Sequence, residues 1–190
     1  MSDMRNLGFL VSGRGSNMAA VLEEIAAGRL KAEARVVISD KPDAPALALA
    51  AGRGLPAFVI ERKNFPRRRE FEEDMVRVLK EHGVSLVVLA GFMRLLGPAF
   101  LAAFPGRVIN IHPSLLPAFP GLEAQRKALD HGVKIAGCTV HYVNEVMDGG
   151  RIIAQAAVPV EPEDTVESLS ARILAQEHRL LARAIAGLEN

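Results

Sequence analysis

One short segment carries polar side chains that could act together on a carbonyl group. Asn110, His112 and Ser114 occupy alternate positions in the sequence Asn-Ile-His-Pro-Ser-Leu-Leu-Pro, which ends at Pro117. At the end of a strand, residues two apart point to the same face, and the prolines hold the next backbone in an extended path. Because amide and imidazole groups donate hydrogen bonds, Asn110 and His112 suit a reaction that develops negative charge on a carbonyl oxygen. The alternative is that Asn110 caps a turn and His112 is a buried structural histidine.

A second candidate site is the sequence Ser-Gly-Arg-Gly-Ser-Asn at residues 12–17, between a predicted strand and a predicted helix. A helix N-terminus directs backbone N–H groups and a positive dipole toward an anion. The segment lacks the Gly-Lys-Ser/Thr of a P-loop, and Met18 stands where a dinucleotide fingerprint has its third glycine. It therefore fits a single phosphate group, the alternative being a tight glycine turn capped by Ser16.

Two further charged groups have a functional and a structural interpretation. Arg67, Arg68 and Arg69 open a predicted helix, where cations oppose the helix dipole and an anionic ligand would compensate them. The acidic residues that follow, from Glu70, are instead typical of a solvated helix face. Asp148 begins Asp-Gly-Gly, a composition in which the acidic side chain usually bonds the backbone of its own turn.

The order of the elements predicts an α/β fold with a mainly parallel, Rossmann-like sheet flanked by helices, because short β-rich runs alternate with longer helical patterns. Strands are predicted at residues 7–11, 35–39, 57–60, 84–90, 107–111, 137–143 and 152–160, and helices at residues 17–27, 45–53, 67–82, 98–104 and 125–131. The run 84–90 is apolar enough for a central strand that is buried on both faces. The C-terminal part is expected to include an antiparallel strand, followed by a helix with Asp164 as N-cap.

Length and composition predict one domain over residues 1–190 and a small polar substrate. A chain of 190 residues with 49% apolar residues can bury a single core. The net charge of +1 gives no reason to expect a nucleic-acid or membrane partner, and we find neither a targeting segment nor an apolar run of membrane-spanning length. The single Cys138 excludes a disulfide framework and a multi-cysteine metal site, so we expect a cytoplasmic protein without a metal.

The motifs resemble, in order and spacing, those of the folate-dependent formyltransferases. Residues 110–117 are similar to the family signature, with Ala-Gly-Phe-Met-Arg at 90–94 and Asp148-Gly149-Gly150 on either side of it, and the match extends from about Arg5 to Leu188. It resembles in particular the branch that acts on glycinamide ribonucleotide. This resemblance implies a formyltransferase fold and transfer of a formyl group from 10-formyltetrahydrofolate, as co-substrate, to the amine of that nucleotide in purine biosynthesis. The transfer would be a direct attack through a tetrahedral intermediate.

The resemblance also implies a role for each candidate residue. Asn110 and His112 would stabilise the oxyanion, while Asp148 would hold His112 charged and help to move a proton. The implied contacts with glycinamide ribonucleotide come from Gly15, Ser16, Asn17 and Glu177, and those with the folate from Arg68, Met93, Arg94, Leu95, Leu96 and Asn110. The structural alternatives are that Met93, Leu95 and Leu96 belong to the core and that Glu177 lies on a helix surface.

Departures from the family pattern and competing functions leave several points open. Glu123, Gln125, Arg151 and Leu174 differ from frequent family residues, which leaves secondary contacts with ribose and folate open. The role of His141 is open too, as is the choice between monomer and homodimer.

A methionyl-tRNA formyltransferase is the main competing function, but it resembles the chain less after Pro117 and uses a basic RNA-binding surface. A formyltetrahydrofolate hydrolase and a non-enzymatic nucleotide-binding module that uses only residues 13–17 also compete.

Overall fold

The computed structural model describes residues 4–188, which form two compact units, one ending at Ile109 and the other running from Asn110 to Leu188. The first unit contains β1 (Arg5–Val11), α1 (Ser16–Ala26), β2 (Ala32–Ser39), α2 (Pro45–Gly52), β3 (Ala57–Val59), a 3-10 helix (Arg62–Asn64), α3 (Arg68–Glu81), β4 (Leu86–Leu89) and α4 (Pro98–Ala103). Strand β5 (Val108–His112) runs through the boundary. The second unit continues with α5 (Ala124–His131), β6 (Ile135–Tyr142), β7 (Ile152–Pro159) and α6 (Val166–Gly187). A single domain over residues 1–190 stays a prediction.

The strands form a seven-stranded sheet in the order β3-β2-β1-β4-β5-β6-β7. Strand β1 pairs in parallel with β2 and β4, and β2 pairs in parallel with β3. Strands β6 and β7 pair antiparallel. The α/β fold, its mainly parallel sheet and the antiparallel strand in the C-terminal part are therefore confirmed. Strand β4, in which all four residues are buried, occupies the predicted central position.

The start of α6 differs from the prediction, because its N-cap is Thr165 and not Asp164. The Thr165 hydroxyl accepts a hydrogen bond from the Ser168 N–H, and the Ser168 hydroxyl accepts one from the Thr165 N–H. The Asp164 carboxylate accepts instead from Arg172, with N–O distances of 2.7 and 2.9 Å. A bidentate pair with a guanidinium is stronger than a neutral cap. Asp164, which precedes α6, therefore stabilises the first turns of this helix through its bonds to Arg172.

Candidate active site

Asp148 lies between two histidines of the second unit. Its Oδ2 is 3.5 Å from His112 Nδ1, at the end of β5, and its Oδ1 is 3.7 Å from His141 Nε2, on β6. The backbone N–H of Gly121 donates to Oδ2 at 2.8 Å and so fixes the carboxylate. The turn interpretation of Asp148 is therefore wrong, since the side chain reaches residues far from its own turn.

The surroundings of His112 fit an imidazolium. Its Nε2 lies 3.0 Å from the Phe119 carbonyl oxygen, which can only accept, so Nε2 carries a proton. Its Nδ1 faces the carboxylate of Asp148. A lone pair on Nδ1 would be repelled by this carboxylate, whereas an N–H is attracted. The buried ring is therefore oriented at both nitrogens, and a hydrogen bond from His112 to a substrate oxygen requires one of these contacts to open.

His141 orients the side-chain amide of Asn110. His141 Nδ1 lies 2.9 Å from the Tyr142 carbonyl oxygen and therefore donates, while Nε2 lies 3.2 Å from Asn110 Nδ2. An amide nitrogen only donates, so His141 Nε2 accepts and the ring is neutral. Asp148 Oδ1, 3.7 Å from the same nitrogen, favours an N–H there, but the shorter contact with Asn110 and the burial of the ring outweigh it. Burial, which lowers the pKa of His141 below its ordinary value, favours the same state against the opposing effects of Tyr142 and Asp148. The second N–H of Asn110 makes no hydrogen bond within residues 4–188.

A neutral His141 makes the stability of the protein depend on pH in a defined direction. Because the folded-state pKa lies below the ordinary value of 6.5, the unfolded chain binds more protons between these two values. We therefore expect the free energy of unfolding to fall as the pH drops below 6.5 through this window. Urea unfolding across this pH range measures the effect, and an NMR titration gives the pKa directly. A His141 pKa of 6.5 or higher in the folded protein would contradict the assignment.

A hydrogen-bond network around the buried Thr139 side chain holds the backbone that follows His112. The Thr139 hydroxyl accepts from the Leu116 N–H at 3.0 Å and donates to the Ser114 carbonyl at 2.7 Å. Gln155 Nε2 donates to the Leu116 carbonyl at 3.0 Å, and the Ser114 hydroxyl donates to the Ala118 carbonyl. These bonds anchor the chain just before Phe119, the acceptor of the His112 ring. Ser114 therefore supports the loop.

The buried Cys138 on β6 is poorly suited to be a nucleophile. Burial, together with the negative charge of Glu177, raises the pKa of its thiol to about 12. Because the thiolate is the reactive form of cysteine, the thiol is inert near neutral pH. Glu177 itself is buried on α6, so the interpretation of this residue as a helix-surface glutamate is wrong.

The glycine loop of the first unit ends at the N-terminus of α1. Gly15 is the N-cap and adopts the left-handed conformation, with φ of 71°. The first hydrogen bond of the helix joins the Ala19 N–H to the Gly15 carbonyl. The N–H groups of the first turn therefore lie before the first hydrogen bond within the helix. Ser16 does not cap the helix, and Asn17 is buried at its start. The local geometry fits an anion at this terminus.

Gly15 is expected to tolerate no side chain. A Cβ at this position would lie 2.6 Å from the Cβ of Ala46, and the backbone is left-handed. We expect Gly15→Ala to lower the free energy of unfolding by roughly 1–2 kcal/mol. Urea unfolding measures this effect. Gly13→Ala is the matched control, since its Cβ would meet nothing within 4 Å; equal effects of the two variants would contradict the account.

The segment after β4 is tied to β1 and β2 through a buried carboxylate that the sequence did not indicate. Asp40 Oδ2 accepts from Arg94 Nε and its Oδ1 accepts from the Ser12 hydroxyl, both at 2.6 Å. Ser12 Oγ in turn accepts from the Met93 N–H at 3.0 Å. The signal that could have found Asp40 is its place directly after a buried strand. Arg94 is therefore held in the loop by an ion pair.

The predicted folate residues of the first unit differ in exposure. Met93 and Leu95 are large exposed hydrophobic residues, at 67% and 53% relative exposure, whereas Leu96 is buried. The core interpretation is therefore correct for Leu96 and wrong for Met93 and Leu95. Arg68 is half-exposed at the start of α3 and donates to the Leu95 carbonyl at 2.7 Å. Two apolar side chains and a cation thus lie on one short stretch of surface.

Of the four positions that depart from the family pattern, Glu123 and Arg151 have an identifiable local structural role. Glu123 is the exposed N-cap of α5, and the next helical turn includes Gln125. Arg151 lies over the Tyr142 ring, with its Cζ 4.7 Å from the ring centroid. Leu174 is half-buried on α6. None of these roles involves the Asp148 cluster in the part of the chain that the structure describes.

Residues 4–188 contain no group of three or more His, Cys, Asp or Glu side chains placed to hold a metal ion. None of the helices in this range combines the length and apolar character needed to cross a membrane.

Comparisons with known proteins agree on one family. A family model described as formyl transferase matches residues 5–185. The phosphoribosylglycinamide formyltransferase of Bacillus subtilis is 41% identical over 98% of this chain and 97% of its own length. The crystal structure of glycinamide ribonucleotide transformylase 1 from Symbiobacterium toebii has a TM-score of 0.96 and 51% identity, covering 98% of this chain and 88% of that chain. The trifunctional purine biosynthetic protein adenosine-3 of Drosophila melanogaster is 44% identical over 98% of this chain, which spans only 14% of that relative's length. The chain therefore belongs to the formyl transferase family.

Proposed function

We propose that the chain transfers a formyl group from 10-formyltetrahydrofolate to the amine of glycinamide ribonucleotide, a step of purine biosynthesis. The observation that carries this proposal is the contact of Asp148 with His112 and His141, and of His141 with Asn110. Together these side chains provide a neutral donor, a cation and a carboxylate, as acyl transfer to an amine requires. The B. subtilis relative, similar over nearly its whole length, carries the same activity in its name.

The chemical step is a direct attack. The nucleotide amine forms a bond to the formyl carbon, and the carbonyl electrons move to the oxygen. The second N–H of Asn110 donates to this oxyanion, and the imidazolium of His112 adds a positive charge. The intermediate collapses when the bond from the formyl carbon to folate N10 breaks. The proton lost by the amine passes through water, assisted by Asp148, to N10.

The two donors contribute differently in this proposal. Asn110 is oriented by His141 and keeps an N–H for the substrate. His112 Nε2–H already meets the Phe119 carbonyl, so a direct hydrogen bond from His112 requires a substrate oxygen to replace that carbonyl. We assign Asn110 the immediate hydrogen bond and His112 the charge. The inert Cys138 thiol agrees with a route that has no enzyme-bound formyl group.

Binding roles are proposed for the remaining candidates, each on local chemistry. The Gly15, Ser16 and Asn17 terminus of α1 would hold the nucleotide phosphate, and Glu177 would contact the ribose. The exposed Met93 and Leu95 would pack on the flat pterin ring, with Arg94 and Leu96 shaping the loop backbone and Asn110 also contacting the folate. Arg68 would meet a folate carboxylate. The partners are small molecules, the location is cytoplasmic, and the protein is a monomer or a homodimer.

An acceptor assay tests the proposal. The absorbance change on conversion of 10-formyltetrahydrofolate to tetrahydrofolate is followed with glycinamide ribonucleotide, with charged initiator tRNA, or with water as the only acceptor. We expect turnover with the nucleotide alone. Turnover with tRNA would identify a methionyl-tRNA formyltransferase, turnover in water a hydrolase, and binding of nucleotide without turnover a binding module.

A further inference from the structure

Glu72 on α3 is a charged residue buried in the first unit. It is 3% exposed, and carboxylates are rarely buried without partners. Its Oε1 accepts from Arg68 Nε at 2.7 Å and from the Gly97 N–H at 2.9 Å. One oxygen therefore joins the first turn of α3 to the residue that caps α4.

Arg68 is oriented by this contact. Its Nε donates to Glu72, and its Nη2 donates to the Leu95 carbonyl at 2.7 Å. The three other N–H groups, two on Nη1 and one on Nη2, make no hydrogen bond within residues 4–188, and the side chain is half-exposed. The guanidinium is therefore held in a fixed direction by two bonds and keeps three N–H groups that can donate to a carboxylate.

The close approach of Gly97 to the Glu72 carboxylate gives independent support for a specific contact between them. Its backbone is extended, with φ of −86° and ψ of 171°, a conformation that any residue adopts. A Cβ at this position would nevertheless lie 2.7 Å from Glu72 Oε2 and 3.2 Å from Oε1. The space that a side chain would fill is thus taken by the buried carboxylate.

The neighbouring Arg69–Glu73 pair on α3 shows the ion pair that helical spacing produces without tertiary contacts. Arg69 Nε and Glu73 Oε1 are also 2.7 Å apart at the same spacing, but the side chains are 77% and 54% exposed. Exposed pairs of this kind contribute little to stability. The Arg68–Glu72 pair differs through its tertiary contacts with Leu95 and Gly97.

We propose that Glu72 is a positioning residue for the folate co-substrate. It holds Arg68 so that the remaining N–H groups of the guanidinium meet a carboxylate of the glutamate tail, and it ties the 95–97 loop to α3. The inference rests on the proposed function, since it takes a reduced folate as the ligand. The predicted consequence is discrimination between folates with and without a glutamate tail. Glu72 contributes to the binding of the tail and not to the binding of the pterin part.

Equilibrium binding of two probes tests this role without any acceptor substrate. The probes are tetrahydrofolate and tetrahydropteroate, which lacks the glutamate tail. We expect Glu72→Ala to weaken binding of tetrahydrofolate by about 10-fold or more, the scale of a lost hydrogen bond to a charged group, and to change binding of tetrahydropteroate little. Glu73→Ala is the matched control and should change neither.

Two further variants keep the test decisive. Gly97→Ala leaves Glu72 in place but displaces its carboxylate, so it should reproduce the selective loss even if Glu72→Ala does not fold. In an Arg68→Ala background, Glu72→Ala should cause no further loss of discrimination, because Glu72 acts through Arg68. Equal weakening of both probes, or no weakening of either, would overturn the inference. A wild-type protein that binds neither probe would instead refute the proposed function.

Discussion

Replacing Asp148 and His112 together is expected to reduce turnover scarcely more than replacing His112 alone. The Asp148 carboxylate is fixed by the Gly121 N–H and faces His112 Nδ1 at 3.5 Å, so its main effect on catalysis passes through that ring. His112→Ala should lower kcat by about 100-fold or more, the scale of removing a main oxyanion-stabilising group. Asp148→Asn should also lower kcat steeply, because it removes the negative charge that favours an imidazolium.

Steady-state kinetics of the two single variants and the double variant measure this coupling. Asparagine is a suitable replacement, because Asp148 has a positive φ of 51°, which asparagine tolerates well. Glu145→Gln, an exposed acidic residue just before Asp148, is the control and should retain normal turnover. If the losses of the single variants multiply as independent factors, the two residues do not act as a unit.

Asn110→Ala is expected to lower kcat by about 100-fold or more while nucleotide binding survives. The amide offers the N–H that remains available to the substrate, and His141 fixes its direction. Because the oxyanion is absent from the bound substrates and develops only during the reaction, the loss should appear in kcat and not in the nucleotide KM. Asn64→Ala, at an exposed position of the 3-10 helix, serves as the control. Near-normal turnover of a folded Asn110→Ala protein would remove the residue from the mechanism.

Most of the fold could be predicted because its signals are local. The apolar run around β4 marks a strand buried on both faces, and Pro45 marks the first turn of α2. The prediction of the N-cap of α6 was wrong, because Asp164 suits an N-cap by residue type but is bound by Arg172, eight residues along the chain. A cap prediction considers the backbone donors nearby and not a competing guanidinium.

The candidate site could be predicted only in part. Asn110 and His112 share a strand, so their spacing indicates a common face. The partners of Asp148 lie far away in sequence, and only the family resemblance indicated its pairing with His112. The role of His141 stayed open and Glu72 was not recognised, because their roles depend on contacts with Asn110 and Gly97, 31 and 25 residues away. No periodicity in the sequence encodes such contacts.

A single-turnover experiment with a formyl group labelled with 13C tests direct transfer most directly. The protein, in excess over 10-formyltetrahydrofolate, is mixed with glycinamide ribonucleotide, and the reaction is quenched at a series of times for NMR and mass spectrometry. We predict that the label appears in the formamide of the nucleotide at the rate at which it leaves the folate, and that the protein mass does not change. A labelled protein intermediate, or label recovered as formate with the nucleotide unchanged, would contradict the account.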